Sequence, residues 1–286
     1  MGSLCLWLLG RQSEVMTASV DPSPGEWCST DDMVARLRAA GCVFAEDEAA
    51  LLVEAAAGEA TELARLVAAR EAGDPLEQLL GWAAFCGRRV AVGPRVFVPR
   101  MRTELLAERA LALIADGDVV VELCCGAAAV AAVLQADGRV GELYAADVDP
   151  EAVDYARRNV VEPGVVLVGD LYDPLPSGLR GRIDVIVANA PYVPTEAIAL
   201  MPREARDHEP LVALDGGSDG VDVQRRIIAG APGWLRAGGS LLIETGREQS
   251  VITAGEMRAG RLTVEVVVDD ERDATVVVGT LPPTRL

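Results

Sequence analysis

Between Ser29 and Gly81 the apolar positions recur at helical spacing. Met33, Val34 and Leu37 follow three good N-cap residues, Ser29, Thr30 and Asp31, and Gly41 closes that element. The Ala- and Leu-rich runs 47–57 and 61–72 predict two further helices, broken by Gly58 and Gly73. At Gly81 the pattern changes. Residues 83–99 carry Phe85, Val90, Val92, Val96, Phe97 and Val98 around the turn signal Gly93-Pro94, which predicts a β-hairpin linking two domains. Helix returns over 103–115, and from there short apolar runs alternate with helical ones. Strands are expected over 119–123, 143–147, 165–168, 183–188, 240–244, 263–268 and 275–279. Helices are expected over 127–136, 150–160, 221–235 and 248–259. Such alternation predicts an α/β fold with an open, mainly parallel sheet covered on both faces. Only residues 269–274 separate the last two strands, which suits a hairpin at one sheet edge.

Four segments follow: 1–28, a disordered tail or over-extended start; 29–82, a helical domain; 83–102, the hairpin linker; and 103–286, a catalytic α/β domain. The opening run Leu4 to Gly10 has no preceding positive charge and is too short to span a bilayer. Met16 is an alternative start, and Asp21 to Gly25 reads as linker.

Composition narrows the chemistry. Of 286 residues half are hydrophobic, and mean hydropathy is +0.24, so a large core is within reach. The net charge of −18 argues against a nucleic-acid partner, because neutralising phosphates supplies most of that affinity. All 26 basic residues are Arg, which removes phosphate-loop lysines, Schiff bases and lysine general bases. His208 is the only histidine, so no His-rich metal site is expected, and no metal is assigned. Cysteines at 5, 28, 42, 86, 124 and 125 form no C-x-x-C pair and read as reduced thiols of a cytosolic protein.

Open α/β sheets bind ligands beyond the carboxyl ends of their strands. The first strand runs into Glu122-Leu123-Cys124-Cys125-Gly126-Ala127-Ala128, whose small residues allow backbone N–H groups to approach a ligand. Asp147, ending the second, can accept from both ribose hydroxyls. Asp170 and Leu171, ending the third, are placed to meet an adenine edge and face. Together these strand ends predict an adenosine-containing cofactor, with Cys124 and Cys125 as turn residues and not redox thiols.

The fourth strand ends in Asn189-Ala190-Pro191-Tyr192, which resembles the N-P-P-Y tetrapeptide of S-adenosylmethionine-dependent methyltransferases acting on planar amide or exocyclic amino nitrogens. Such a nitrogen is a poor nucleophile. The Asn side-chain oxygen and the following backbone carbonyl can accept its two hydrogens, and the aromatic ring can stack on its plane, so that catalysis is chiefly positioning. His208-Glu209-Pro210, Ala213-Leu214 and Gly216-Gly217-Ser218-Asp219-Gly220 are similar to the H-E-P…A-L…G-G-x-D-G stretch of the protein-(glutamine-N5) methyltransferases, the HemK/PrmC family. Leu79-Leu80-Gly81 with Phe85 and Gly87, Val98-Pro99-Arg100 with Thr103-Glu104, and Glu244-Thr245-Gly246 with Gln249 resemble further segments of that family.

The resemblance implies a Rossmann-like, seven-stranded S-adenosylmethionine-dependent methyltransferase domain behind a helical substrate-recognition domain. It implies S-adenosyl-L-methionine as cofactor, held by Glu122, Cys124, Cys125, Gly126, Ala127, Ala128, Asp147, Asp170, Leu171 and Asn189. Catalysis falls to Asn189, Ala190, Pro191 and Tyr192. The implied acceptor is the Gly-Gly-Gln loop of a peptide chain release factor, met by a cytoplasmic, monomeric enzyme with no membrane contact. Three departures stand out: Cys124 and Ala128 replace family glycines, Ala190 replaces proline, and Arg102 stands where the family has Glu. They suggest a divergent branch, so N6-adenine methylation of nucleic acid, small-molecule methylation and a non-catalytic cofactor-binding role remain alternatives. His208 reads as a loop-ordering residue.

Overall fold

The computed structural model describes residues 29–283. The expectations for 1–28, with its thiols Cys5 and Cys28, lie outside the described residues.

Helices α1 (Thr30–Ala39), α2 (Ala45–Ala55), α3 (Ala60–Ala72) and α4 (Leu76–Leu80) come first. Ser29 caps α1 by accepting from the Asp32 N–H at 3.2 Å. Leu37, Leu52, Leu66 and Val67 meet in a buried cluster of their own, distinct from the two clusters around the main sheet. The five-residue α4 was not expected, because one turn and a half is too short to show a period; Pro75 precedes it and Gly81, at φ +79°, ends it.

A hairpin follows, but not where the turn signal placed it. Strand β1 (Trp82–Phe85) pairs antiparallel with β2 (Arg88–Ala91), and the chain reverses at Cys86-Gly87. Both residues there are left-handed, at φ +45° and +71°, as a tight two-residue turn requires. Gly93-Pro94 lies beyond the hairpin, and Val96, Phe97 and Val98 join no strand. Gly93 is needed for close packing, since a Cβ there would stand 1.9 Å from the Tyr155 hydroxyl. The Asn159 side chain fastens β2 by accepting from the Ala91 N–H at 2.7 Å and donating to its carbonyl at 2.9 Å.

The main sheet holds β3 (Asp118–Leu123), β4 (Val140–Asp147), β5 (Val165–Val168), β6 (Ile183–Ala188), β7 (Leu235–Glu244), β8 (Thr263–Asp269) and β9 (Ala274–Thr280). Their spatial order is β5-β4-β3-β6-β7-β9-β8, parallel except for β9, which is antiparallel to both neighbours. Alternation assigns the faces. Val120, Val185, Leu242 and Val276 pack under α5 (Glu104–Leu113), α6 (Ala129–Asp137) and α7 (Pro150–Asn159). Val121, Ile186, Leu241 and Val277 face the other way, toward α9 (Asp222–Gly230) and α10 (Ser250–Ala259). The helix expected over 221–235 stops at Gly230. Pro232 lies in the following 3-10 turn, Ala231–Gly233, and has no N–H with which to continue the α-helical ladder. Trp234 then stacks on Tyr172 at 5.7 Å, and β7 begins five residues earlier than expected. Between β6 and α9 runs a long connection carrying the short helix α8 (Arg203–His208).

Strand order runs from β3 outward through β4 to β5, and from β6 outward through β7. The carboxyl ends of β3 and β6 therefore flank the crevice in which open α/β sheets bind ligands. Burial differs sharply across this sheet, and stability should follow it. Ile186→Ala, at a fully buried position on β6, is expected to lower unfolding free energy in urea by about 2–5 kcal/mol. Val266→Ala, 41% exposed on edge strand β8, should cost less than about 1 kcal/mol. Equal losses would contradict this placement of the two strands.

Candidate active site

The turn leaving β3 is built on alternate left-handed residues. Cys124, Gly126 and Ala128 have φ of +52°, +54° and +57°. A side chain in that region costs roughly 1–2 kcal/mol, so Cys124 and Ala128 hold a glycine-like backbone under strain. Around the turn, the Cys125 N–H donates to the Ala146 carbonyl at 3.1 Å and the Gly126 N–H to Asp147 Oδ2 at 2.7 Å. Burial pushes both thiols, Cys124 and Cys125, well above the ordinary range. They stay protonated, which suits spacing residues and not nucleophiles.

Asp147 ends β4 with its other oxygen, Oδ1, accepting from the Asp149 N–H at 2.9 Å. Burial raises its carboxyl, opposed by those backbone donors. Each oxygen keeps a lone pair, so a ribose diol can donate to it. Ala146, Val148 and Leu171 add apolar wall, and Asp170 pairs with Arg226 at 2.6 Å across the rim. These residues enclose a cavity of about 310 Å³. A nucleoside fits this donor and acceptor set: a carboxylate for the ribose and apolar surface for the base.

The lining includes Glu122, Cys124, Cys125, Gly126, Ala127, Asp147, Asp170, Leu171, Asn189, Ala190, Pro191 and Tyr192. Thus twelve positions scattered over 71 residues of sequence meet in one crevice. Ala128 does not line it. Its methyl is fully buried in the sheet-face cluster, so its contribution is the backbone angle and not a ligand contact. Glu122 does line it, yet its Oε2 also accepts from the Ala131 N–H at 2.7 Å in the first turn of α6.

Asn189 leaves the end of β6 and donates through Nδ2 to Thr103 Oγ1 at 3.2 Å. The Tyr192 hydroxyl donates to Glu244 Oε1 at 3.3 Å, and the Tyr192 carbonyl accepts from Gln249 Nε2 at 2.7 Å. Glu244 and Gln249 thus grip one residue at its two ends. Arg102 sits 3.4 Å from the buried Glu244 and 5.8 Å from the Tyr192 ring centroid, so its positive charge faces a buried carboxyl group. Gly216 and Gly220 press on the tetrapeptide backbone; a Cβ on Gly220 would stand 2.3 Å from the Tyr192 carbonyl oxygen. Glu209 accepts from Arg100 at 2.5 Å and from the Val98 N–H at 3.2 Å, joining the 193–216 connection to the segment after the hairpin. His208 is outside the lining, with Nδ1 3.2 Å from Asp74. Motif resemblance picked out Glu209, Glu244 and Gln249 without roles, because each acts on backbone or side chains distant in sequence. Among the described residues there is no cluster of three or more His, Cys, Asp or Glu that could hold a metal, and no helix long and apolar enough to cross a membrane.

Burial, with Asp147 beside it, raises Glu122 to about 8 against the pull of its N–H donors. The folded chain therefore holds a proton there that the unfolded chain releases near 4.5. Stability from this proton is full below about 4.5 and is lost as pH rises to about 8. Glu122→Gln is expected to flatten that decline in urea unfolding across this window; an unchanged slope would remove Glu122 as its source.

The methyltransferase small domain family matches residues 81–203. A release factor glutamine methyltransferase of Mycolicibacterium smegmatis is 44% identical over 183 residues, 63% of this chain and 64% of the relative, which is just under two thirds of its length. One from Bradyrhizobium diazoefficiens is 32% identical over 261 residues, 82% of this chain and 86% of the relative. A methyltransferase structure from Pyrococcus furiosus shares the fold with a TM-score of 0.53 at 16% identity, over 70% of this chain and 91% of that one. The cofactor is S-adenosylmethionine. A glycine-like turn, a ribose-ready carboxylate and a match spanning most of both chains converge: this chain belongs to the family of release factor glutamine methyltransferases.

Proposed function

We propose that this chain transfers a methyl group to the side-chain amide nitrogen of a protein glutamine, in the Gly-Gly-Gln loop of a peptide chain release factor, acting as a cytoplasmic monomer. The observation that carries this reading is the state of the tetrapeptide. Asn189 spends its Nδ2 on Thr103, while Asn189 Oδ1 and the Ala190 carbonyl accept no hydrogen bond from a described residue. Two acceptors therefore stand free beside the cavity, matching the two hydrogens of a primary amide.

S-adenosylmethionine, when bound, supplies a methyl group activated by a positive sulfur. Asp147 would hold its ribose, and Leu171 with Val148 its base. Asn189 Oδ1 and the Ala190 carbonyl hold the glutamine amide with its nitrogen aimed at the methyl, and the Tyr192 ring lies along the amide plane. Holding this geometry supplies the rate. No strong base is required, because the nitrogen becomes acidic as its new bond to carbon forms and its proton then leaves through either acceptor. Pro191 keeps Ala190 extended even though Ala replaces the family's first proline.

The helical unit supports a protein-sized acceptor. Arg70 on α3 pairs with Glu204 at 3.3 Å, and Gln78 on α4 donates to the His208 carbonyl at 3.4 Å. Both contacts fall on the connection that supplies Met201, Glu209 and Pro210 to the cavity wall. Residues 29–82 thus extend the surface beside the mouth, where a folded substrate would rest.

Single-turnover methylation and calorimetry test the assignment. Asn189→Ala is expected to slow methylation of a release factor on the order of a hundredfold while S-adenosylmethionine affinity stays within about threefold. Asp147→Ala should instead weaken cofactor binding by roughly 1.5–3 kcal/mol. Wild-type rates in Asn189→Ala would reduce the tetrapeptide to a strand exit, and methylation of nucleic acid in place of the release factor would transfer the acceptor to a base amine.

A further inference from the structure

A primary amide brings two hydrogens on its nitrogen and also a carbonyl oxygen, which accepts. Asn189 Oδ1 and the Ala190 carbonyl can answer only the hydrogens. The oxygen needs a donor in the wall, because a polar group withdrawn from water without a partner costs affinity. Three arginines line the cavity: Arg100, Arg102 and Arg226. Two of them are already held, Arg100 by Glu209 at 2.5 Å and Arg226 by Asp170 at 2.6 Å. Arg102 differs. Its Nε is buried without a hydrogen-bond partner among the described residues, and its approach to Glu244 Oε1, at 3.4 Å, is the looser contact of an ion pair. The side chain as a whole is 41% exposed, so its open part lies away from the buried Nε.

The fold puts this arginine beside the acceptor. Arg102 belongs to the short turn Met101–Thr103 ahead of α5, and the next residue, Thr103, accepts from Asn189 Nδ2 at 3.2 Å. Its guanidinium carbon stands 5.8 Å from the Tyr192 ring centroid, so Arg102 meets the tetrapeptide near both ends. Sheet order gives the side. Asp147 and Asp170 follow β4 and β5, on one flank of β6, whereas Glu244 ends β7 on the other. Arg102, against Glu244, is therefore on the flank away from the ribose carboxylate.

We propose that Arg102 is the third contact of the acceptor pocket, donating from its guanidinium to the side-chain carbonyl oxygen of the substrate glutamine. Asn189 and Ala190 take the amide hydrogens, Arg102 takes the oxygen, and every polar atom of the carboxamide is then fixed. Such a pocket selects among protein side chains. A lysine ammonium or an arginine guanidinium has no acceptor to offer and carries the same charge as Arg102. A carboxylate satisfies Arg102 but turns an oxygen toward two acceptors. A carboxamide meets all three. Glutamate, which the resembling family carries at this position, has no hydrogen to give when ionised, so this contact belongs to the chain with Arg102. The inference rests on the reading of the tetrapeptide as the holder of a glutamine amide.

Kinetics and binding on the full chain test the contact. Arg102→Met keeps the length and loses the donor; kcat/KM on a release factor should fall roughly ten- to hundredfold, the scale of a hydrogen bond from a charged group. S-adenosylmethionine affinity by calorimetry should stay within about threefold. Arg102→Lys, which can still donate, should recover to within about tenfold of wild type. Binding is then compared, in S-adenosylhomocysteine, for the release factor and for the same factor with its glutamine replaced by alanine. The wild-type enzyme should prefer the glutamine form by about tenfold, and Arg102→Met should narrow that preference to about threefold or less, which isolates the contact from the rest of the interface. Should Arg102→Met lose cofactor binding, Arg102→Gln takes its place in the comparison, with the same narrowing expected. Wild-type kcat/KM without the donor, or an equal glutamine preference in both enzymes, would overturn the contact and leave the tetrapeptide reading intact. A wild-type enzyme that leaves the glutamine unmethylated would sink that reading and this contact with it.

Discussion

Everything in this molecule's chemistry depends on β6 being sealed on both faces. Ile183, Val185, Ile186, Val187 and Ala188 are all buried, and the strand is paired on both edges, with β3 and β7. A strand so confined cannot slip or tilt, because a shift of one residue would exchange its two packed faces. The chain therefore emerges at Asn189 in one position and one direction, at the point where strand order reverses. Positional precision at the tetrapeptide is inherited from hydrophobic packing behind it.

Around that exit, buried carboxyl groups serve as fasteners. Glu122 holds the first turn of α6, Glu209 ties the 193–216 connection to Arg100 and Val98, and Glu244 receives Tyr192 and Arg102. Each is nearly or fully withdrawn from water, where a carboxyl group needs hydrogen-bond partners at hand. That requirement makes them exacting: a carboxyl group that needs particular N–H or O–H partners dictates the shape of the backbone offering them. In a chain with no lysine, the cationic share of this task goes wholly to arginine, whose planar fork suits carboxylates.

Most of the architecture was readable because its elements are periodic. The 183–188 strand carries a near-continuous apolar run, as a strand buried on both faces must, and its expected bounds coincide with the observed ones. The errors fell where local residue identity competes with tertiary need. Gly93-Pro94 looks like a reversal, yet Gly93 is glycine because Tyr155 presses on it, while the true reversal used Cys86, a residue with no turn preference. Pro232 was passed over because apolar spacing continued through it. At the site, residues that point into the cavity from strand ends could be placed by counting strands. Their supports could not, since Thr103 meets Asn189 across 86 positions and Gln249 meets Tyr192 across 57. No periodicity spans such gaps.

The left-handed turn at Cys124 and Ala128 has a bearing on how such proteins are found. Here the backbone takes a shape that glycine usually permits, while two of its three left-handed positions carry a thiol and a methyl. What the turn requires is therefore a set of torsion angles, and more than one choice of letters meets it. A search keyed to glycine at those two positions would discard this chain, whereas a search keyed to the sign of φ after the first strand of the main sheet would retain it.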